Sequence, residues 1–361
     1  MPQFALIALL ALASGWIVGD RDSASSSLEG QMRMATIAWL DSLSTEMRQR
    51  AVFAMDSSDR KDWSNLPKTM ADRTGVAFGE MNDKQRAAAH KLMRTMLSNA
   101  GYHQVSGIMR LDDVLRDLMK PDNPTAALRY SHDFYWLSVF GNPHGPQILD
   151  GLGKKGSNSD AWGIQLDGHH LAINITVVDD KISVTPTFLG GNPIEIPSGP
   201  YAGWRVLQPM DELGQELFNS LTAEQRKRAV IASQSPGDIL AGPGKAHLIS
   251  KPQGIHSGDL NQAQFRTLQQ LAASYFRTYP ADVAKAALEE FNADISDGIH
   301  FAWLGGSTDQ PYAYRIHGKR NWIEFSNVAG AGSDKVGMNH IHSIWRRIGN
   351  DFGNASKPKA D

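Results

Sequence analysis

The chain has 361 residues and no cysteine. That excludes disulfides, thiolate metal sites, thiol nucleophiles and zinc centres of the His/Cys/Cys type. Any metal must be held by nitrogen and oxygen ligands. An excess of one charge is lacking too: 36 Lys and Arg stand against 38 Asp and Glu, a formal net charge of −2. No basic stripe interleaves with aromatics, so nucleic acid is not expected as a partner. There is no Walker A loop, no Gly-x-Ser-x-Gly elbow, no His-Glu-x-x-His and no Gly-x-Gly-x-x-Gly after a strand.

Long apolar runs are missing except at the start, where Phe4 to Ala13 has the length of a signal-peptide core. Ala11-Leu12-Ala13 fits a small-x-small cleavage pattern, although no Lys or Arg precedes the run. Residues 1–27 therefore read as a signal-peptide-like segment with a Ser-rich tail. The expectation is an exported protein, periplasmic or secreted, with an uncleaved N-terminal anchor as the alternative and no other membrane contact.

What is present is histidine, concentrated in Gly168-His169-His170-Leu171 and Asn339-His340-Ile341-His342-Ser343. If the second segment is a strand, alternation puts His340 and His342 on one face, where two imidazoles can share a ligand. His169 and His170 are adjacent, so on a regular strand they point to opposite faces, and one of them joins the site. With His169 inward, Asp167 shares its face and could orient the ring. Arg346 and Asp351 follow the His-x-His strand, and an Arg there could hold an anionic group through its planar fork. Arg315 and His317 alternate on one strand and could line the same pocket. Glu324 could serve as carboxylate ligand or base, and His144 lies on a turn-rich loop.

The chain also matches itself. Leu43-Ser44-Thr45-Glu46-Met47-Arg48-Gln49-Arg50-Ala51-Val52 aligns with Leu221-Thr222-Ala223-Glu224-Gln225-Arg226-Lys227-Arg228-Ala229-Val230. Gly79–Gln85 aligns with Gly258–Gln264, and each copy leads into an amphipathic helix with Asn82 or Asn261 as its natural N-cap. After each helical unit comes a β-like block. The first holds Phe134–Phe140, Ala161–Leu166, Leu171–Val178 and Ile182–Leu189, with Asp179-Asp180 as a hairpin turn. The second holds His300–Leu304, Tyr312–His317, Trp322–Ser326 and His340–Trp345. The fold expectation is α+β: duplicated helical units, with helices at 40–55 and 218–233, packed on antiparallel sheet in pseudo-twofold halves. Residues 28–203 form the first half and 204–353 the second, and 354–361 form a tail.

Taken as a set, several motifs resemble the bacterial and fungal family of domain of unknown function 3500. They are Trp162-Gly163-x-x-x-x-Gly168-His169-His170-Leu171, Thr185-Pro186-Thr187-Phe188, Phe301-Ala302-Trp303, Tyr314-Arg315-Ile316-His317-Gly318 and Asn339-His340-Ile341-His342-Ser343-Ile344-Trp345-Arg346. The resemblance runs from about Thr36 to Gly353. Two departures stand out: Lys319 occupies a place where many members carry Pro, and a short tail replaces their further turns. The family carries no established activity to import, but its motifs coincide with the histidines chosen on geometry.

The functional expectation is a metal-dependent enzyme of hydrolase type acting on a small-molecule substrate. His340, His342 and one of His169 and His170 would hold a divalent ion, zinc by default with copper or iron as alternatives. Three other readings stay open: a metal-dependent oxidoreductase, a metal-free binding protein for an anionic small molecule, and a scaffold whose histidines are satisfied core groups.

Overall fold

The computed structural model describes residues 27–144, 161–329 and 338–356. The signal-peptide-like segment up to residue 26 and the end of the tail, 357–361, lie outside the described residues, as do parts of the connectors, 145–160 and 330–337.

The first helical unit contains α1 (Leu28–Ser42), α2 (Thr45–Ala51), α3 (Asp83–Met96), α4 (Asn99–Met119) and the short α5 (Ala126–Arg129). The second contains α6 (Gln208–Ser220), α7 (Ala223–Ala229), α8 (Gln262–Phe276) and α9 (Ala281–Ala293). Starts are set by side-chain caps. Asn82 accepts from Gln85 N while Gln85 returns a bond to Asn82 N, and Asn261 with Gln264 repeats the arrangement. Neither 40–55 nor 218–233 is one helix. Each contains a break before its cap, at Leu43-Ser44 and Leu221-Thr222, because the capping side chain takes the backbone out of the helical region.

The strands are β1 (Val52–Phe53), β2 (Val76–Ala77), β3 (Tyr135–Gly141), β4 (Trp162–Gly168), β5 (Leu171–Val178), β6 (Lys181–Ser183), β7 (Thr187–Gly191), β8 (Val230–Ala232), β9 (Ile255–His256), β10 (His300–Leu304), β11 (Tyr312–His317), β12 (Asn321–Ala329) and β13 (Met338–Arg347). All belong to one sheet, with central order β1-β3-β4-β5-β7-β13-β12-β11-β10-β8. The antiparallel expectation is corrected at both ends: β1 lies parallel to β3 and β8 parallel to β10. The fold is α+β with one large mixed sheet, and it joins first-half and second-half strands through the β7–β13 pair. The expected strand Ile182–Leu189 divides in two: β6 pairs only with β5, whereas β7 bridges β5 and β13, and Pro186 lies between them without an N–H to donate. Asp179 and Asp180 form the turn before β6, both with positive φ.

Cross-strand register explains the two faces of the sheet. One continuous row reads Leu137, Leu166, Ile173, Thr187, Trp345, Ile323, Ile316, Phe301. These residues, apart from Thr187, join Trp39, Leu92, Val105, Leu268 and Tyr275 of the helices in the main core. Each fully buried large apolar side chain contributes about 1.5–3 kcal/mol. The adjacent row, pointing the other way, reads Trp136, Asp167, Ala172, Phe188, Ile344, Glu324, Arg315, Ala302. Loops cover this second face. Trp63, Ile239, Ala241 and Phe352 pack there on Ala172, Phe188, Trp322 and Ile344. Asp167, Glu324 and Arg315 of this row therefore lie on the face that helices leave open, whereas Asp112 and Asp211 are buried beneath the helices on the other. No described helix is long and apolar enough to cross a membrane.

Candidate metal centre

His169 and His170 are the two residues of the turn that joins β4 to β5, closed by the Gly168–Leu171 pair. The strand expectation of opposite faces fails because neither residue is on a strand. His170 adopts φ 63°, a left-handed conformation that costs a residue with a Cβ of order 1 kcal/mol. The cost is offset by backbone bonds on either side: His170 N donates to Asn65 O at 3.2 Å, and Gly190 N donates to His170 O at 2.7 Å. The two rings stack with centroids 3.8 Å apart. Gly190 makes room for them, since a Cβ there would stand 3.1 Å from His170 Cδ2 and 2.7 Å from Ile341 O.

The late pair meets the early pair. β13 runs beside β7, with His342 opposite Gly190, so alternation carries His340 and His342 over the turn. His170 Nε2 lies 2.7 Å from His340 Nε2. The His340 and His342 rings are 4.5 Å apart, and His170 and His342 5.2 Å. One ring nitrogen from each of His170, His340 and His342 falls within 4.8 Å of the others.

Two carboxylates orient the cluster, and neither was anticipated. Asp238, in the Gly-rich connector before β9, accepts from His342 Nδ1 at 2.7 Å, which leaves Nε2 with its lone pair. Asp112 of α4 lies 2.6 Å from His169 Nδ1, and Tyr135 Oη lies 3.1 Å from its other oxygen. Asp112, His169 and His170 also offer atoms within 4.8 Å of one another. A signal for Asp112 existed: it sits in the apolar stripe of α4 between Ile108 and Leu115, where an acid needs a buried partner. Asp238 carries none, since an acid after Gly237 in a turn-rich loop reads as solvated.

Electrostatics disfavours the charged form of His170 and His340. Burial, then the neighbouring His169, His340 and His342, push His170 well below the ordinary histidine value. Burial and then His342 and His169 push His340 down to about 3. Burial raises the Asp112 carboxyl against the pull of His169. For Asp238 burial acts upward, but the hydrogen bond and charge of His342 outweigh it, and its pKa falls. Neutral rings beside an ionised carboxylate are the donor set that binds a dication.

The remaining expected residues lie elsewhere. Asp167 does not orient His169; Arg73 Nε stands 3.3 Å from its Oδ1 and Ser64 N donates to Oδ2. Arg346 is buried with its donors on Ala241 O, Gly242 O and Asp351 Oδ2. Arg315 Nε donates to Glu324 Oε1 at 2.8 Å, and Ala241 N donates to the other oxygen of that fully buried carboxylate. His317 packs edge-on against Trp322. His144 is anchored by its own N–H to Asn142 Oδ1. None of these bonds reaches the four clustered imidazoles.

The fold and site define a class: an α+β protein built on one mixed sheet, with a four-histidine cluster at the β4–β5 turn, His169 and His170 buried and His340 and His342 half-buried. The chain belongs to the family described as Protein of unknown function (DUF3500), which it matches over residues 26–354. No curated protein and no solved structure matches it.

Proposed function

We propose that the protein is an exported, metal-dependent enzyme of hydrolase type, with His170, His340 and His342 as ligands of one divalent ion. The observation that carries this reading is the 2.7 Å approach of His170 Nε2 to His340 Nε2 beside a His342 whose Nδ1 is held by Asp238. Two neutral rings can satisfy that contact with a single N–H···N bond. A dication uses both lone pairs and the His342 Nε2 as well. In a tetrahedral zinc site the ligand nitrogens stand about 3.4 Å apart, so shifts of ~1 Å close this geometry.

Three protein ligands leave a coordination position open. The ion would supply a Lewis acid and a water of lowered pKa, which is sufficient for hydrolysis. The His169–Asp112 pair, whose imidazole stacks on His170, would carry a proton in that hydrolysis. A copper or iron oxidoreductase would use the same ligands. A metal-free anion binder has less support, because Arg346 and Arg315 already bind carbonyls and carboxylates of the chain itself.

Elemental analysis of the purified protein tests the reading. About one equivalent of zinc, copper or iron is expected in the wild type, and less than a tenth in the His340→Ala, His342→Ala double variant. Metal-free wild type that takes up none on titration would overturn it.

We also infer that the two halves arose by internal duplication and are related by a pseudo-twofold axis at the β7–β13 pair. The inference is supported by the matched helix caps, by parallel pairs at both sheet ends and by the apolar row, which pairs Leu137 with Phe301, Leu166 with Ile316 and Ile173 with Ile323 about Thr187–Trp345.

A further inference from the structure

Away from the histidines, the loop-covered face holds a small cavity of about 20 Å³. Its sheet wall is Arg315, His317 and Trp322; its loop wall includes Ser250, Lys251 and Gln253. The volume admits one water-sized body and nothing larger than a single heavy atom.

The lining is rich in donors. Trp322 is 3 % exposed and its Nε1–H, a donor only, has no acceptor. A buried donor left unpaired costs about 1–3 kcal/mol, so an occupant is expected. Arg315 gives its Nε to Glu324, and its Cζ stands 5.6 Å from the Trp322 ring. Glu324 adds little toward the cavity, because both its oxygens already accept bonds. Lys251 adds a second cation, and no acidic side chain lines the space among the described residues. Burial, then His300 and Arg315, bring His317 down to about 4, so its ring is neutral at pH 7.

A metal cation is excluded here by Arg315 and Lys251, although a histidine is present. A water would accept at most two of the available N–H groups and could donate to His317, Ser250 or Gln253, so it is the two cations, Arg315 and Lys251, that favour an anion over water. The enclosed part holds one heavy atom, so a carboxylate or phosphate would have to leave its other atoms at the exposed mouth formed by Ser250, Lys251 and Gln253.

We propose that this cavity is a binding site for a single monatomic anion of chloride size, held by Trp322 Nε1–H, the Arg315 guanidinium and the Lys251 ammonium. The site has a structural consequence. The loop that closes it is continuous with Asp238, which orients His342, so an anion there ties the Asp238 loop to the sheet.

The test uses full-length protein at fixed ionic strength. Replacing gluconate by 100 mM chloride or bromide should raise Tm by about 2 °C, the mass-action shift for an affinity of ~10 mM. A bromide-soaked crystal should show an anomalous peak within hydrogen-bond distance of Trp322 Nε1. Trp322→Phe, which keeps the ring but removes the donor, should abolish the Tm response. Lys251→Ala, at an exposed position, should raise the halide midpoint at least threefold. A cavity holding only water after the soak, a Tm indifferent to halide, or an unchanged midpoint in Lys251→Ala would each overturn the proposal.

Discussion

The histidine turn has a counterpart. Gly168-His169-His170-Leu171 links β4 to β5, and Gly318-Lys319-Arg320-Asn321 links β11 to β12. In each turn the last non-strand residue offers its carbonyl to the next strand region: His170 O accepts from Gly190 N, Arg320 O from Ile348 N, both at 2.7 Å. A buried aspartate lies beneath each, Asp112 at His169 Nδ1 and Asp294 at Arg320 Nε, 2.7 Å away in the second case. The side chains then diverge. His169 and His170 are buried, whereas Lys319 and Arg320 are largely exposed. A guanidinium has five N–H donors and no lone pair for a metal. The second turn borders a cleft of about 290 Å³ lined by Glu290, Arg320 and Arg347, with charges matched in pairs. Corresponding turns thus carry electron-pair donors in one half and hydrogen-bond donors in the other, and the left-handed φ of His170 has no counterpart at Lys319 or Arg320.

The largest expected difference between the turns is in metal content. His170→Ala should lower bound metal at least tenfold, while Arg320→Ala leaves it unchanged. Equal loss in both, measured by elemental analysis of folded protein, would erase the contrast.

The two acids that act on side chains around these turns should separate binding from stability. Asp238→Asn weakens the hold on His342 Nδ1 and is expected to reduce metal affinity about 10- to 100-fold. Asp238 is itself largely exposed, so stability should change by less than about 0.5 kcal/mol. Asp294 is fully buried and accepts from Arg320 N, Arg320 Nε and Asn321 Nδ2. Asp294→Ala should cost about 3 kcal/mol in urea unfolding, by stranding those donors, with metal affinity untouched. Reversal of the two phenotypes would show that the histidine cluster is structural and the arginine turn functional.

Much of this comparison was legible in the residues, and the reasons for the rest are specific. The hairpins β4–β5 and β11–β12 follow from alternation of apolar residues around turn signals, and His340 with His342 on one face follows from the same period. Strand alternation misleads at His169 and His170, since the strand-like blocks end at Leu166 and resume at Leu171, and both residues lie in the turn between β4 and β5. Their convergence depends on a positive φ at His170, which the residue type does not announce. β1, β2, β8 and β9, at two or three residues, carry no periodic signal, so the sheet's parallel edges could not be foreseen. Arg346 and Arg315 looked like anion clamps because sequence shows a guanidinium but not its partners.

The finest distinction is in pH dependence, read from the residues just before the two glycines. Asp167 precedes Gly168 and His317 precedes Gly318. Burial pushes Asp167 up to about 7, outweighing Arg73 and the Ser64 N–H, and brings His317 down to about 4, with His300 and Arg315 adding to the shift. Both groups therefore favour the uncharged form in the fold, but their slopes oppose each other. A carboxyl whose folded pKa is raised binds more protons in the native state; its contribution is complete below about 4 and is lost as pH rises toward 7. A histidine whose folded pKa is lowered contributes fully above about 6.5 and loses that contribution as pH falls toward 4. Urea midpoints between pH 4 and 7 should accordingly tilt in opposite directions in two single variants. Asp167→Asn removes a term that declines with pH, so its stability should rise more steeply with pH than that of the wild type. His317→Gln removes a term that grows with pH, so its profile should be flatter. Parallel profiles for wild type and both variants would mean that neither group changes its protonation preference on folding, and that the resemblance of the two strand ends stops at the backbone.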